Sequence, residues 1–275
     1  TDRRLFAITS FMKLGGSVAE INQLSGIDPW FLHHLKEIVD FKQKFIESPL
    51  TIELIRYAKQ LGYSDRSLAK IKGEMTEQEF RFERKSRGII PNVKQIDTLA
   101  GEFAAETNYL YMTYHGAFND VDPAIERPLI ILGSGPYCIG SSVEFDWCAV
   151  NMAKRMREQG EHTIIINSNP ETVSTDYDES DRLYFEELSL ERVQDIIEYE
   201  HPKGVVVSVG GQIANNMALS LHRLGHPIVG TPPSMIDVAE DRQKFSSLLN
   251  RLKIDQPDWE EITTVEKAKV FATRV

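Results

Sequence analysis

Aliphatic runs that alternate with helical patterns after Pro128 constrain the fold of this chain more than any other feature. LIIL occupies 129–132, HTIIIN 162–167, GVVVSVGG 204–211 and PIVGT 227–231. The stretches between them, near 142–159, 189–199 and 213–224, have helical periodicity. Aliphatic strands separated by helices indicate a parallel sheet that is covered on both faces. We therefore predict a three-layer α/β domain.

The loops that follow three of these strands are the candidate binding elements. The carboxyl ends of parallel strands meet at one edge of a sheet, where ligands of such folds bind. Glycines allow a close backbone approach, and a helix start favours an anion. The loops at 133–144, 168–176 and 210–212 are therefore expected to converge on a ligand. Their candidate residues are Gly133, Gly135, Gly140, Asn169, Thr175, Asp176, Gly210, Gly211 and Gln212.

Two common nucleotide sites do not fit these loops. A dinucleotide fingerprint that starts at Gly133 needs a glycine at position 138, where the chain has Cys138. The second strand ends in Asn167 instead of the acidic residue that binds a ribose. A P-loop needs a lysine, and none occurs between Asp97 and Lys154. An NAD-binding domain remains a minor alternative, and a P-loop enzyme is excluded.

Carboxylates among these loops argue against a simple phosphate site. Glu144 and Asp146 follow the first loop, and Glu171 and Asp176 lie in the second. Glu144 falls in the first turn of a predicted helix, where a negative charge stabilises the helix by about 0.3 to 1 kcal/mol. A purely structural role for Glu144 therefore stays open.

The residues up to about Gly88 follow a helical pattern with recognisable caps. Ser17 with Glu20 and Thr76 with Glu79 form predicted capping boxes, and Asp28 precedes a proline at the first helical position. Helix ends are predicted near Gly62, Gly73 and Gly88. We predict an all-α domain whose role is that of a scaffold.

Residues 89–127 are predicted to be a connector packed on one or both halves. They contain Tyr109, Tyr111 and Tyr114. An aromatic cluster of this kind is more typical of a core than of a ligand platform.

Composition excludes several classes of partner and site. A formal net charge of -10 disfavours nucleic acid and anionic membranes as partners. Two cysteines cannot build a disulfide framework or a four-cysteine zinc site, and no metal ligands are predicted. No apolar stretch reaches the roughly 20 residues of a membrane span. Because the chain lacks a signal peptide and an initiator Met, we expect an interior piece of a longer cytoplasmic protein.

Longer strings in the sequence carry a family resemblance. LGSGPYCIGSSVEFDWCAV, NSNPETVSTDYDESDRLYFEEL, VSVGGQIANNMAL and GTPPSMIDVAEDRQKFSSLL occur in this order. They resemble the second, carbamoyl phosphate-forming half of the carbamoyl phosphate synthetase large chain. GIDPWFLHHLKEIV, LGYSD and VKQIDTLAGEFAAETNYLYMTY resemble the helical oligomerisation region between the two halves of that chain. The resemblance covers essentially all of the sequence.

The resemblance implies an α+β fragment of two domains. Residues 1–127 would be the helical oligomerisation domain with its connector. Residues 128–275 would be a Rossmann-like pre-ATP-grasp domain, with the ATP-grasp region beginning at about residue 256. The chain ends before the positions that hold nucleotide and metal in this family, so we expect the fragment alone to be inactive.

The implied activity is that of a ligase. It makes carbamoyl phosphate from bicarbonate, ammonia from glutamine, and ATP, for arginine or pyrimidine synthesis. The implied cofactors of the full-length enzyme are ATP and Mg²⁺ or Mn²⁺, with K⁺ as a further candidate, none of them fully bound here. The implied partners are a glutaminase subunit or domain, the rest of the large chain and further copies of it. The implied location is the cytoplasm, or the mitochondrion in some eukaryotic relatives.

Three residues match positions along the family's carbamate passage. Glu144 and Glu171 match glutamates that line it, and Ser142 matches a position that narrows it. Cys138 stands where the family pattern has an arginine, so the role of that position is open. The rival interpretation is a non-catalytic assembly module that binds no ligand.

Overall fold

The computed structural model describes residues 2–73, 75–124, 126–137 and 143–274. The chain divides into two compact units. The first contains Thr1–Val93 and Met112–Asn119, and the second contains Lys94–Tyr111 and Asp120–Val275. Within the described ranges, none of the helices combines the length and the apolar character that a bilayer span requires.

The first unit is built from six helices, and its described residues up to 88 contain no strand, as predicted. The helices are α1 (Arg4–Lys13), α2 (Val18–Ser25), α3 (Pro29–Glu47), α4 (Ile52–Gln60), α5 (Asp65–Lys72) and α6 (Glu77–Ser86). Their main core contains Phe45, Ile55, Leu68 and Phe80, all fully buried. Tyr114 joins this core from the segment at 112–119.

The predicted caps begin and end these helices. The side chain of Ser17 accepts the N–H of Glu20 while the Glu20 carboxylate accepts the N–H of Ser17, so the capping box is confirmed. Thr76 and Glu79 form the second box in the same way. The side chain of Asp28 accepts the N–H of Trp30 and begins α3. Gly73, at a φ of 76°, ends α5 in the left-handed conformation that glycine adopts without strain.

The second unit contains most of a seven-stranded sheet. The strands are β1 (Asn92–Gln95), β2 (Tyr109–Thr113), β3 (Leu129–Leu132), β4 (Thr163–Asn167), β5 (Arg182–Phe185), β6 (Gly204–Val206) and β7 (Ile228–Val229). Their order across the sheet is β1-β2-β5-β4-β3-β6-β7. The pairs from β2 to β7 are parallel, which confirms the predicted parallel sheet.

Three of these strands were not predicted. β1 and β2 lie within 89–127, which the sequence indicated only as a connector, and β5 lies in the stretch RLYF. They are four or five residues long and mix polar with apolar side chains. Tyr109 on β2 packs edge-on against Phe185 on β5, with 5.1 Å between ring centroids, in agreement with a core role.

Helices connect the central strands. They are α7 (Val143–Glu158), α8 (Leu190–Glu200) and α9 (Gly211–Arg223), followed by α10 (Pro233–Glu240), α11 (Arg242–Leu252) and α12 (Val265–Arg274). The described parts of the three predicted helices agree with α7, α8 and α9 to within two residues, and α9 begins at Gly211, two residues before its predicted start. Ala149 and Ala153 of α7 pack on Ile131 and Ile165 of the sheet.

Candidate functional site

The candidate site lies at the carboxyl ends of β3, β4 and β6, which are neighbours in the sheet. There the first and third loops touch through their backbones. A methyl group on Gly210 would lie 2.4 Å from the carbonyl oxygen of Leu132 and 2.5 Å from that of Gly133. Only a residue without a Cβ atom permits this approach.

Asn167, the last residue of β4, joins the first and second loops. Its side-chain oxygen accepts the N–H groups of Gly135 at 3.0 Å and Ser168 at 2.9 Å. Its amide nitrogen donates to the hydroxyl of Ser174 at 3.0 Å. Gly133 packs on the same side chain, since a Cβ there would lie 2.7 Å from Cγ of Asn167. Asn167 is fully buried, so these bonds are shielded from water.

The second loop contains a single 3₁₀ turn, Val173–Thr175, which is held against α7. The N–H of Ser174 donates to both carboxylate oxygens of Asp146, at 3.3 and 3.2 Å. The hydroxyl of Thr175 donates to the carbonyl oxygens of Asn169 and Thr172, at 2.9 and 2.7 Å. Asp146 and Ser174 are both buried.

A groove of about 790 Å³ lies between α7 and the second loop. Tyr137 lies at its edge, with its hydroxyl 2.5 Å from the hydroxyl of Thr172. Trp147 contributes a large apolar surface and is 66% exposed. The groove is lined by Tyr137, Val143, Asp146, Trp147, Val150, Asn151, Lys154, Pro170, Glu171, Thr172, Val173 and Asp176.

The charged lining of this groove is mainly acidic. Asp146, Glu171 and Asp176 contribute carboxylates, and Lys154 is the single cation among the described lining residues. The ammonium of Lys154 lies 3.0 Å from the carboxylate of Glu179, which partly neutralises it. The groove is therefore a poor site for a multiply charged anion.

Tyr109 lies outside the groove lining, but nearby acidic residues of the second loop and beyond it also affect its pKa. Burial is the main cause that raises the pKa of Tyr109, and the negative charges of Asp176 and Asp178 raise it further.

The structure brings together some of the predicted residues. Glu171 and Asp176 line the groove, while Glu144 is exposed in the first turn of α7 and is not among the groove residues. Asn169 accepts the N–H of Glu171 at 3.0 Å. Ser142, Gly140 and Cys138 lie outside the described residues.

The glycine loops use their N–H groups within the protein. The N–H of Gly133 donates to Ile166 at 2.9 Å, that of Gly135 to Asn167, and that of Gly210 to Val207 at 3.3 Å. Gly211, at a φ of 70°, packs on the ring of Phe145. Gln212 is exposed and donates to Asn216 on its own helix at 2.8 Å. At these glycines an anion would have to compete with internal hydrogen bonds.

Sequence reasoning missed the residues that hold the loops together. The sequence alone indicates Asn167 only as the absence of a ribose-binding acid, and Asp146 only as one more carboxylate. A signal was present, because a buried strand that ends in an amide beside a glycine loop can satisfy backbone groups of that loop. In the described part of the chain, no three His, Cys, Asp or Glu side chains are arranged to hold a metal ion.

Two family profiles match separate parts of this chain. Residues 1–88 match the oligomerisation domain of the carbamoyl-phosphate synthetase large chain. Residues 126–238 match the preATP-grasp domain of carbamoyl phosphate synthase.

Curated relatives match over the whole chain. The multifunctional protein pyrABCN of Emericella nidulans is 52% identical over 278 aligned residues, and the chain spans 12% of its length. The arginine-specific large chain of carbamoyl phosphate synthase from Cutaneotrichosporon cutaneum is 51% identical, and the chain spans 23% of it. The mitochondrial arginine-specific large chain of Schizosaccharomyces pombe is 49% identical, with 24% spanned. The chain thus spans less than a quarter of the length of each of these three relatives.

Proposed function

The chain belongs to the carbamoyl phosphate synthetase large-chain family, and from that premise we propose that its α/β unit forms part of the wall of a carbamate passage. The passage would lead to the ATP site that phosphorylates carbamate. In the parent protein this stretch would serve a ligase that makes carbamoyl phosphate from bicarbonate, ammonia from glutamine, and ATP.

The position of Glu171 carries this proposal. Its side chain lines the groove of about 790 Å³ between α7 and the second loop, together with Asp176 and the exposed ring of Trp147. A seat for ATP phosphates would instead need free N–H groups and cations. The described N–H groups of Gly133, Gly135 and Gly210 form hydrogen bonds within the protein. These loops are therefore better described as the lining of a passage than as a phosphate-binding site.

The charge of the groove suggests how an intermediate would travel. Carbamate is an anion, and like charges repel more strongly in a low-dielectric passage than in water. An ionised Glu171 in the groove would therefore favour passage of neutral carbamic acid, or would pair with cations from elsewhere in the parent protein. We propose the same for Glu144, which lies in the first turn of α7 outside the groove lining. Ser142 would narrow the passage.

Nucleotide and metal binding would depend on other parts of the parent protein. The described residues form no cluster of three His, Cys, Asp or Glu side chains that could hold a metal ion, and we assign no metal ligand to them. ATP, the divalent metal and K⁺ belong to the proposal only for the parent enzyme.

We assign residues 1–127 to assembly and residues 128–275 to the synthetic half, with the ATP-grasp region beginning at about residue 256. Exposed apolar side chains in the first unit support self-association: Phe6, Leu14, Leu24, Trp30 and Phe31. The other proposed partners are the rest of the large chain and a glutaminase subunit or domain. The proposed location is the cytoplasm, or the mitochondrion as in the Schizosaccharomyces pombe large chain whose name states it.

The test uses Glu171→Gln and Glu144→Gln in the full-length parent enzyme. Removing either charge should raise the ratio of ATP consumed to carbamoyl phosphate formed, because more of the intermediate is lost on its way. Glu158→Gln is the matched control, since Glu158 is the last residue of α7 and pairs with Arg155 outside the groove. An unchanged ratio in both test variants would refute the passage.

The alternative is a non-catalytic assembly module, favoured by the match of residues 1–88 to an oligomerisation domain. A ligand that binds only the folded state raises the melting temperature. If none of ATP, phosphate and bicarbonate shifts the melting temperature of this 275-residue chain, assembly alone is the better description of it. A shift with NADH and not with ATP would instead favour an NAD-binding domain.

A further inference from the structure

We propose that Asp146 and Asn167 are positioning residues that together set the width of the groove between α7 and the second loop. Neither residue needs to contact the intermediate. The inference rests on the proposed passage, and it assigns the control of its width to two buried side chains.

Asp146 is the direct link between the two walls. It lies in the first turn of α7, two residues after Glu144, and is only 4% exposed. Both of its oxygens accept the N–H of Ser174, which lies three residues after Glu171. A bond between a carboxylate and a backbone N–H is stronger than a neutral one, and burial shields it from competing water. Asp146 therefore links α7, which carries Glu144, directly to the segment that carries Glu171.

Asn167 is the second buried side chain that holds Ser174 in place. It donates to the hydroxyl of Ser174 and accepts the N–H of Gly135, so the 3₁₀ turn and the glycine loop share one buried side chain. An apolar side chain of similar size would leave these buried groups without partners. The 3₁₀ turn is therefore held by Asn167 as well as by Asp146.

The predicted consequence is that the intermediate escapes from the passage, while the phosphorylation reactions themselves continue. If the bond between Asp146 and Ser174 breaks, the segment that carries Glu171 loses this hydrogen bond to α7, and we expect the groove to widen. A widened passage loses its intermediate before the second phosphorylation. The ratio of ATP consumed to product should rise, while a wall held in place by other contacts would leave the ratio constant.

The test compares Asp146→Ala with Asp146→Asn in the full-length parent enzyme. The alanine variant removes both acceptors, whereas asparagine keeps one oxygen for the N–H of Ser174. We expect hydrogen exchange at Ser174 to accelerate about tenfold or more in Asp146→Ala, together with a higher ATP-to-product ratio. In Asp146→Asn, the exchange rate at Ser174 and the ATP-to-product ratio should both stay close to those of the wild type.

Asp181→Ala is the matched control. Asp181 also accepts a backbone N–H, that of Thr163 at 2.7 Å, but at the opposite end of β4. The Asp181→Ala variant should have a lower melting temperature and an unchanged ratio of ATP consumed to product formed. Asn167→Leu should behave as Asp146→Ala does and should also accelerate exchange at Gly135. If Asp146→Ala does not fold, Ser174→Ala tests the Asn167 contact alone, because it removes the hydroxyl that Asn167 binds and keeps the N–H that donates to Asp146. An unchanged ratio of ATP consumed to product formed in Ser174→Ala would contradict the role given to Asn167.

The outcomes separate this inference from the proposed function. Faster exchange at Ser174 with an unchanged ratio, while Glu171→Gln raises the ratio, would overturn the positioning role and leave the passage standing. An unchanged ratio in Glu144→Gln, Glu171→Gln and Asp146→Ala would overturn the passage itself. A ratio that rises equally in Asp181→Ala would also overturn the inference, because the effect would then follow general stability.

Discussion

The carboxylate of Asp65 accepts three hydrogen bonds from the guanidinium group of Arg84, at 2.8 to 3.1 Å, and neither side chain is exposed to solvent. The ammonium of Lys59 lies 3.0 Å from the same carboxylate and donates to the carbonyl oxygen of Tyr63 at 2.7 Å. One buried anion therefore holds two buried cations and joins α4, α5 and α6.

Asp65→Ala should destabilise the first unit strongly. It leaves Arg84 and Lys59 buried without their counter-charge, and removal of one partner from a buried pair costs about 3 to 5 kcal/mol. Asp40→Ala is the control, because the pair between Lys36 and Asp40 is exposed and such pairs contribute about 0 to 1 kcal/mol. Urea unfolding measures both free energies. Equal losses in the two variants would contradict the role given to burial.

Acid should weaken the same cluster in a defined pH range. Burial by itself would raise the pKa of Asp65, but the charges of Lys59 and Arg84 and their hydrogen bonds outweigh it and hold the pKa below the ordinary 3.8. The folded carboxyl binds its proton less tightly than the unfolded one, so its stabilisation is complete above 3.8 and is lost as pH falls through the folded pKa. The free energy of unfolding should fall more steeply there in the wild type than in Asp65→Asn. Parallel pH curves would contradict this.

Gly210→Ala should destabilise the second unit through a clash. Its methyl group would lie 2.4 Å from a backbone carbonyl oxygen, which cannot move as a flexible side chain can, so the cost should reach the upper part of the usual range of about 1 to 3 kcal/mol. Gly160→Ala is the control, because Gly160 has a φ of 81° and no neighbour within 4 Å. Only the strain of that φ remains, which costs roughly 1 to 2 kcal/mol. Thermal unfolding should therefore rank Gly210→Ala as the more damaging variant.

Ser17→Ala should weaken α2 by about 1 kcal/mol, since it removes the side-chain acceptor that begins the helix. The hydrogen bonds from the backbone and side chain of Ser17 hold the pKa of Glu20 below its ordinary value of 4.5. A carbon-13 titration should find the Glu20 pKa raised in Ser17→Ala relative to wild type. Thr76→Ala should leave Glu20 unchanged and raise the pKa of Glu79 instead, because Thr76 bonds Glu79 in the same way.

Local chemistry explains which parts of the fold were predictable. Ser17, Thr76 and Asp28 cap helices through bonds to residues two or three positions away, so a short stretch of sequence contains the whole interaction. The continuous aliphatic runs of β3 and β4 predict fully buried strands for the same reason.

Distant partners explain what was missed. β2 and β5 are strands because they pair with each other and with the sheet, and their short mixed sequences carry little periodicity of their own. The roles of Asp146 and Asn167 likewise depend on Ser174 and Gly135, which lie 28 and 32 residues away from them. The sequence shows that Asp146 and Asn167 carry hydrogen-bonding groups, but only the folded chain shows which backbone groups they bind.

The order of strands in the sheet also has a consequence during synthesis. Tyr109 of β2 pairs with Leu183 of β5, so β2 leaves the ribosome 74 residues before its neighbour. At ordinary elongation rates the wait lasts about 4 to 15 s. Throughout that time one edge of β2 presents unpaired N–H and C=O groups. An edge strand that waits unpaired can associate with other chains, so this delay favours aggregation of the nascent chain.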